Sequence, residues 1–223
     1  MRNGGRLKVG VLLSGGGTNL QALIDACAAP GFPAEIALVL SNKAEAYGLE
    51  RARRAGIPTT VVDHRPFPDR PSFEREIDRA LADAGVECVC LAGFLRVLTE
   101  GFVERWHDRM LNIHPSLLPA YKGLETHARA LADGVAIHGC TVHFVRPALD
   151  DGPLIAQAEV PVHPGDDPAM LAARVLTREH EIYPLALRLM GEGRLSVEGE
   201  TCLIDGHPGP MRLRWNDAPP IGG

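Results

Sequence analysis

The sequence predicts an α/β fold, a doubly wound, mostly parallel sheet with helices on both faces and antiparallel strands in the C-terminal half. Three observations predict it. Short, unbroken apolar runs rich in β-branched residues alternate with longer segments of helical period through the first half of the chain. A glycine-rich loop follows the first of these runs directly, and two long alternating runs joined by an acidic turn occupy the second half. Strands covered on both faces by crossover helices read as continuous apolar runs, whereas antiparallel strands with one wetter face alternate.

The elements follow in order. "LKVGVLL" precedes a helix over 18–29, in which Leu20, Leu23, Ile24 and Cys27 keep 3.6-residue spacing and Pro30 with Gly31 ends the run. "AEIALVL" precedes a helix over 46–55, "TTVVD" one over 72–84, and "VECVCLA" one over 99–106. The segment "LNIHPSLLPAYKG" reads as a strand end, and a helix over 125–132 comes after it. "IHGCTVHFV" and "GPLIAQAEVPV" are the alternating strands, joined by "RPALDDGP", and a long helix spans 168–190. From Leu195, "LSVEGETCLIDG" reads as a small hairpin, and the Pro/Gly-rich end from Asn216 as a loose tail. The whole of 1–223 is expected to be one domain, with a phosphate-binding half over 7–123, a second half over 124–195 and a hairpin and tail over 196–223.

Composition narrows the function classes. A chain of 223 residues with 45% apolar residues supports a sizeable core. A formal charge of -5 gives no footprint for general nucleic-acid binding, so small molecules are the expected partners. The five cysteines are odd in number and sit mostly in apolar runs, which points to reduced core residues and a cytoplasmic location. No stretch reaches the roughly 18 apolar residues of a membrane span, and the apolar run after the N-terminal basic residues is too short for a secretory signal.

Four groups of residues can carry chemistry. "SGGGTNLQ" leaves the first strand and opens the first helix, so its backbone N–H groups and the helix N-terminus suit a phosphate. It lacks the Gly-Lys-Ser/Thr of a Walker loop and the third glycine of a dinucleotide fingerprint; a tight turn capped by Thr18 or Asn19 is the structural alternative. Asn112 and His114, two apart on a strand, project from one face, where an amide donor and a proton-exchanging imidazole can serve an oxyanion. Asp150, in the doubled acid before Gly-Pro, is either a solvated turn residue or the carboxylate that steadies a histidine. Glu179 falls on or beside the apolar stripe of the long helix, where it either pairs with Arg174 or Arg178 or meets ligand hydroxyls. A metal is not expected: His138 and His143 are five apart on a strand, and Cys88 and Cys90 lack zinc or redox spacing.

Taken together, "VLLSGGGTNLQALI", "LAGFLRVL", "LNIHPSLLPAYKG", "HGCTVHFV", "LDDGPLIAQAEV" and "REHEIYPLAL" resemble, in this order and over about residues 7 to 190, the phosphoribosylglycinamide formyltransferases. The resemblance implies a Rossmann-like formyltransferase fold with a folate and catalytic part in the second half. It also implies 10-formyltetrahydrofolate as co-substrate, 5′-phosphoribosylglycinamide as acceptor, and a monomer or homodimer with no nucleic-acid or membrane partner. Asn112, His114 and Asp150 match the family's catalytic trio; Gly17, Thr18 and Asn19 match its phosphate loop, and Glu179 its ribose-binding acid. Arg96 and Leu98 match backbone contacts to the pterin, Leu95 and Val97 the walls of the folate cleft, and Arg70 a basic residue near both substrates. Ala120 and Glu125 depart from the basic residue and histidine common there.

The mechanism expected is direct attack of the amine on the formyl carbon. Three rivals are weighed against it. A methionyl-tRNA formyltransferase is expected to carry a further domain and a basic surface, and a formyltetrahydrofolate hydrolase an N-terminal regulatory domain. A non-catalytic nucleotide-binding module would use "SGGGTN" alone.

Overall fold

The computed structural model describes residues 5–215, so the expected tail from Asn216 lies outside the described residues. β1 (Leu7–Leu13), α1 (Thr18–Ala28), β2 (Ala34–Ser41), α2 (Tyr47–Arg54), β3 (Thr59–Val61), α3 (Arg70–Asp83), β4 (Cys88–Leu91), α4 (Glu100–Arg105) and β5 (Met110–His114) alternate through the first half. α5 (Thr126–Ala132), β6 (Ile137–Phe144), β7 (Leu154–Pro161) and α6 (Pro168–Gly191) follow. The chain then forms β8 (Leu195–Glu198), β9 (Thr201–Ile204), β10 (His207–Pro208) and β11 (Met211–Leu213).

The main sheet has eight strands in the order β11-β7-β6-β5-β4-β1-β2-β3. Strands β1 to β5 pair in parallel, and β6 is antiparallel to both β5 and β7. This is the expected doubly wound sheet with antiparallel strands toward one edge. β8 and β9 form the expected hairpin, extended by β10 into a three-stranded sheet. β11 corrects the reading of 196–223 as hairpin and tail, because it returns to the main sheet parallel to β7. Three residues after Gly209-Pro210 carry no periodic pattern, so only the long-range pairing reveals this strand.

Side chains fix three of the six helix starts among the described residues, those of α3, α4 and α6. Asp69 accepts from the Ser72 amide at 2.7 Å and Asp167 from the Met170 amide at 2.8 Å, each with a proline in the first turn. The Asp69 cap places the start of α3 two residues before the expected 72. The α3–α4 side of the sheet is filled by Phe73, Ile77, Leu81, Phe102, Val103 and Trp106. The α1–α6 side is filled by Leu20, Leu23, Ile24, Val175, Ile182 and Tyr183 among others. Tyr183 is fully buried, and its hydroxyl lies 3.0 Å from the Leu91 carbonyl and 3.2 Å from that of Leu111. One side chain of α6 thus ties the end of β4 to the first half of β5.

Candidate active site

The chain reverses direction across the sheet between β1 and β4, since β2 and β3 extend one way from β1 and β4 and β5 the other. In such sheets ligands enter at the carboxyl ends of the strands on either side of that switch. Here those ends lead into Ser14–Gly17 after β1, residues 92–98 after β4, and Pro115 onward after β5.

The loop after β1 leaves a helix start open. Gly17 is the N-cap of α1 with φ of 70°, no side chain caps the helix, and its first turn holds no acid. Neither Thr18 nor Asn19 caps it, so the amides at the helix start stay available as donors. Gly17 cannot be replaced without strain: its left-handed backbone disfavours a side chain, and a Cβ there would lie 2.7 Å from the Gly48 Cα. Asn19 reaches across to α6, where its Nδ2 donates to Glu179 Oε2 at 2.7 Å. Glu179 is 8% exposed, and burial raises its carboxyl while the Asn19 bond lowers it. The ion pair expected as one alternative for Glu179 does not occur, because Arg174 pairs with Asp166 and Arg178 with Glu181. Asn19 Oδ1 is buried without a partner, an acceptor that a ligand hydroxyl would satisfy.

At the end of β5, Asn112 and His114 face the same way, paired across to His143 and Thr141 of β6. His114 is 5% exposed; its Nε2 lies 2.9 Å from the Tyr121 carbonyl and its Nδ1 3.4 Å from Asp150 Oδ2. A carbonyl only accepts, so Nε2 carries a proton and Nδ1 faces the carboxylate. Asp150 is turned inward by a left-handed backbone, φ 49°, and its Oδ2 accepts the Gly123 amide at 2.9 Å. Its neighbour Asp151 points outward to Lys122. The doubled acid therefore divides into one buried and one solvated carboxylate.

The segment after β4 hangs on β1. The Ser14 amide donates to the Gly93 carbonyl at 3.0 Å, and the Leu95 amide donates to Ser14 Oγ at 2.8 Å. Leu95 and Val97 stand 69% and 63% exposed and alternate with the half-buried Arg96 and Leu98. Apolar side chains that exposed at a strand end suit a flat apolar ligand. Arg70, by contrast, is exposed at the start of α3 and has no hydrogen bond or ion pair to the other site residues. The structure does not join it to the cluster.

Sequence reasoning missed His143, which was considered only as a metal ligand. Its Nδ1 lies 2.8 Å from the Phe144 carbonyl and so carries the proton; its Nε2, 3.2 Å from Asn112 Nδ2, is left to accept from the amide. This bond orients the Asn112 side chain with its NH2 group toward β6. The cross-strand pairing of Asn112 with His143 is the signal, and it requires knowing the register. His138 sits elsewhere, edge-on to His127 and Tyr121. Among the described residues no group of three or more His, Cys, Asp or Glu could hold a metal ion.

Burial pulls both His143 and His138 down to about 4. The unfolded chain binds these protons near pH 6.5 and the folded chain does not, so folding stability is full above 6.5 and falls as pH drops toward 4. The expected loss by pH 5 is on the order of 1–2 kcal/mol per histidine, partly offset by Glu179, whose shift has the opposite sign. Urea melts at pH 7 and pH 5 measure it. Equal midpoints would show that these imidazoles are not held neutral.

Comparison with known proteins bears on this geometry. A family model described as formyl transferase matches residues 7–187. The chain is 46% identical over 200 residues to the phosphoribosylglycinamide formyltransferase of Escherichia coli (strain K12), covering 90% of this chain and 94% of that protein. It is 48% identical over 201 residues to the trifunctional purine biosynthetic protein adenosine-3 of Homo sapiens, covering 89% of this chain and 20% of that protein. The chain thus spans about a fifth of the length of that trifunctional relative. A solved phosphoribosylglycinamide formyltransferase from Coxiella burnetii matches with a TM-score of 0.89 at 45% identity, covering 93% of this chain and 99% of that one.

Proposed function

The chain belongs to the formyl transferase family, and from that membership we propose that it transfers the formyl group of 10-formyltetrahydrofolate to the glycinamide amine of 5′-phosphoribosylglycinamide in de novo purine (IMP) biosynthesis. The observation that supports the reading is Asn112 and His114 at the end of β5, with Asp150 of the β6–β7 connection against His114, two strands from β1 and the open helix start at Gly17. A phosphate on the amides of Gly17, Thr18 and Asn19, with the ribose hydroxyls toward Glu179 and Asn19, runs the acceptor toward β5. The pterin takes the cleft walled by Leu95 and Val97, with the backbone at Arg96 and Leu98 as its hydrogen-bonding edge. Arg70 serves the outer, charged end of the substrates.

The amine nitrogen attacks the formyl carbon, forming a C–N bond and a tetrahedral oxyanion. Asn112 and a protonated His114 donate to that oxygen, and Asp150 stabilises the imidazolium. Collapse breaks the bond from the carbon to the folate nitrogen, which takes a proton as the former amine loses one. Donation from His114 Nε2 requires that its bond to the Tyr121 carbonyl give way, so the segment 115–123 adjusts as substrates enter. Holding both reactants in one cleft makes the encounter nearly unimolecular. No helix among the described residues is long and apolar enough to cross a membrane. With all five cysteines unpaired and buried, a cytoplasmic monomer or homodimer acting on small molecules fits the reading.

The test mixes the purified protein with 10-formyltetrahydrofolate, with and without 5′-phosphoribosylglycinamide, and follows release of the deformylated folate. Release is expected only when the nucleotide is present. Release without it would mean a hydrolase, and silence in both would mean a binding module or a different acceptor.

A further inference from the structure

The glycine loop is held from behind. The Gly48 amide, in the first turn of α2, donates to the Gly15 carbonyl at 3.1 Å. Arg51 Nε, one turn further along, donates to the Gly16 carbonyl at 2.8 Å. In a trans peptide the carbonyl and the following N–H point in opposite directions, so tying the carbonyls of Gly15 and Gly16 to α2 turns the N–H groups of Gly16 and Gly17 away from it. The same guanidinium reaches past the loop to α1, where Nη1 donates to Gln21 Oε1 at 3.3 Å, and it rests over the Tyr47 ring at 5.1 Å from the centroid. Arg51 therefore clamps both sides of the loop, and it makes no ion pair that would neutralise it among the described residues. A groove of about 520 Å³ beside Thr18 is lined by Arg51, Gln21, His180 and Asp25, whose carboxylate accepts from Gln21 and not from Arg51, so the guanidinium stands next to the open helix start without a direct carboxylate partner.

We propose that Arg51 is the positioning residue of the phosphate loop: it presets the amides of Gly16 and Gly17 toward the ligand and supplies the positive charge behind them. The inference rests on the reading of 14–19 as a phosphate site. It explains why the loop needs no lysine of its own. A planar guanidinium can serve Gly16 and Gln21 at once, which a lysine ammonium on a single flexible stem does less well. The role belongs to the phosphate and not to the formyl chemistry, so the effect should appear in nucleotide binding.

The test compares Arg51→Met and Arg51→Lys with the unaltered enzyme, using 5′-phosphoribosylglycinamide and its dephosphorylated nucleoside as acceptors. Losing a hydrogen bond to a charged group typically corresponds to about a tenfold to hundredfold change in affinity. KM for the phosphorylated acceptor is expected to rise by about tenfold or more in Arg51→Met and less in Arg51→Lys. The change in kcat should be much smaller, and the two variants should treat the nucleoside as the parent does. Thermal melts separate this from unfolding. An unchanged KM for the nucleotide, or an equal rise for nucleotide and nucleoside, would overturn the assignment. Absence of transfer by the unaltered protein would instead fail the functional reading on which it stands.

Discussion

Asn112→Ala and His114→Ala are each expected to lower turnover by about two to three orders of magnitude, the usual consequence of removing one preorganised donor from a developing oxyanion. The geometry makes the losses specific. Asn112 stands on the same face as His114 at the end of β5, and its amide is oriented by His143. His114 is held between the Tyr121 carbonyl and Asp150. Truncating Asn112 leaves His143 Nε2 without a donor, a cost of about 1–3 kcal/mol that a fold with several times that stability tolerates. The two losses should not add fully in the double variant, because both groups serve one oxygen. The check is steady-state turnover at saturating substrates alongside circular dichroism melts. Wild-type turnover in both single variants would remove these residues from the chemistry.

The largest expected effect on stability is at Gly152→Ala. A Cβ at this position would lie 1.8 Å from the Phe144 carbonyl oxygen. That atom is backbone of the adjacent strand, and the Phe144 amide is itself bonded to the Pro153 carbonyl at 2.9 Å. Neither strand can yield without opening the β6–β7 ladder beside the site. Overpacking of this kind typically costs about 1–3 kcal/mol and occasionally more. At about 2–4 °C per kcal/mol for a chain of this size, the melting temperature should fall by about 5–10 °C. Turnover should fall with it, since Asp150 lies two residues upstream and owes its inward direction to this turn. Asp151→Asn is the control: that side chain is 56% exposed and pairs with Lys122, so its melt should stay within about 0.5 kcal/mol of the parent. A Gly152→Ala melt indistinguishable from the control would show that the turn can relax.

Much of this architecture is local and was legible in the chain itself. Uninterrupted apolar runs such as "LKVGVLL" and "VECVCLA" announce strands covered on both faces, and "SGGG" before "TNLQALI" announces a glycine turn into a helix start, although only the structure shows that neither Thr18 nor Asn19 caps it. Asn112 and His114 share a face because strand period is two, whatever the rest of the fold does. Glu179 could be placed on the buried side of its helix by period alone, but its partner could not. Local spacing offered Arg174 and Arg178, whereas the structure supplies Asn19, 160 residues away.

The fold class, the order of the βα units and the two separate site motifs are properties of periodicity and backbone chemistry, which act over a few residues and therefore follow from the chain alone. The meeting of Asp150 with His114, the orientation of Asn112 by His143, the return of β11 to the edge of the main sheet and the clamp of Arg51 on the glycine loop depend on strand order and register. Those are settled only when distant apolar faces are buried against one another, because that burial, and not any local preference, decides which strands become neighbours.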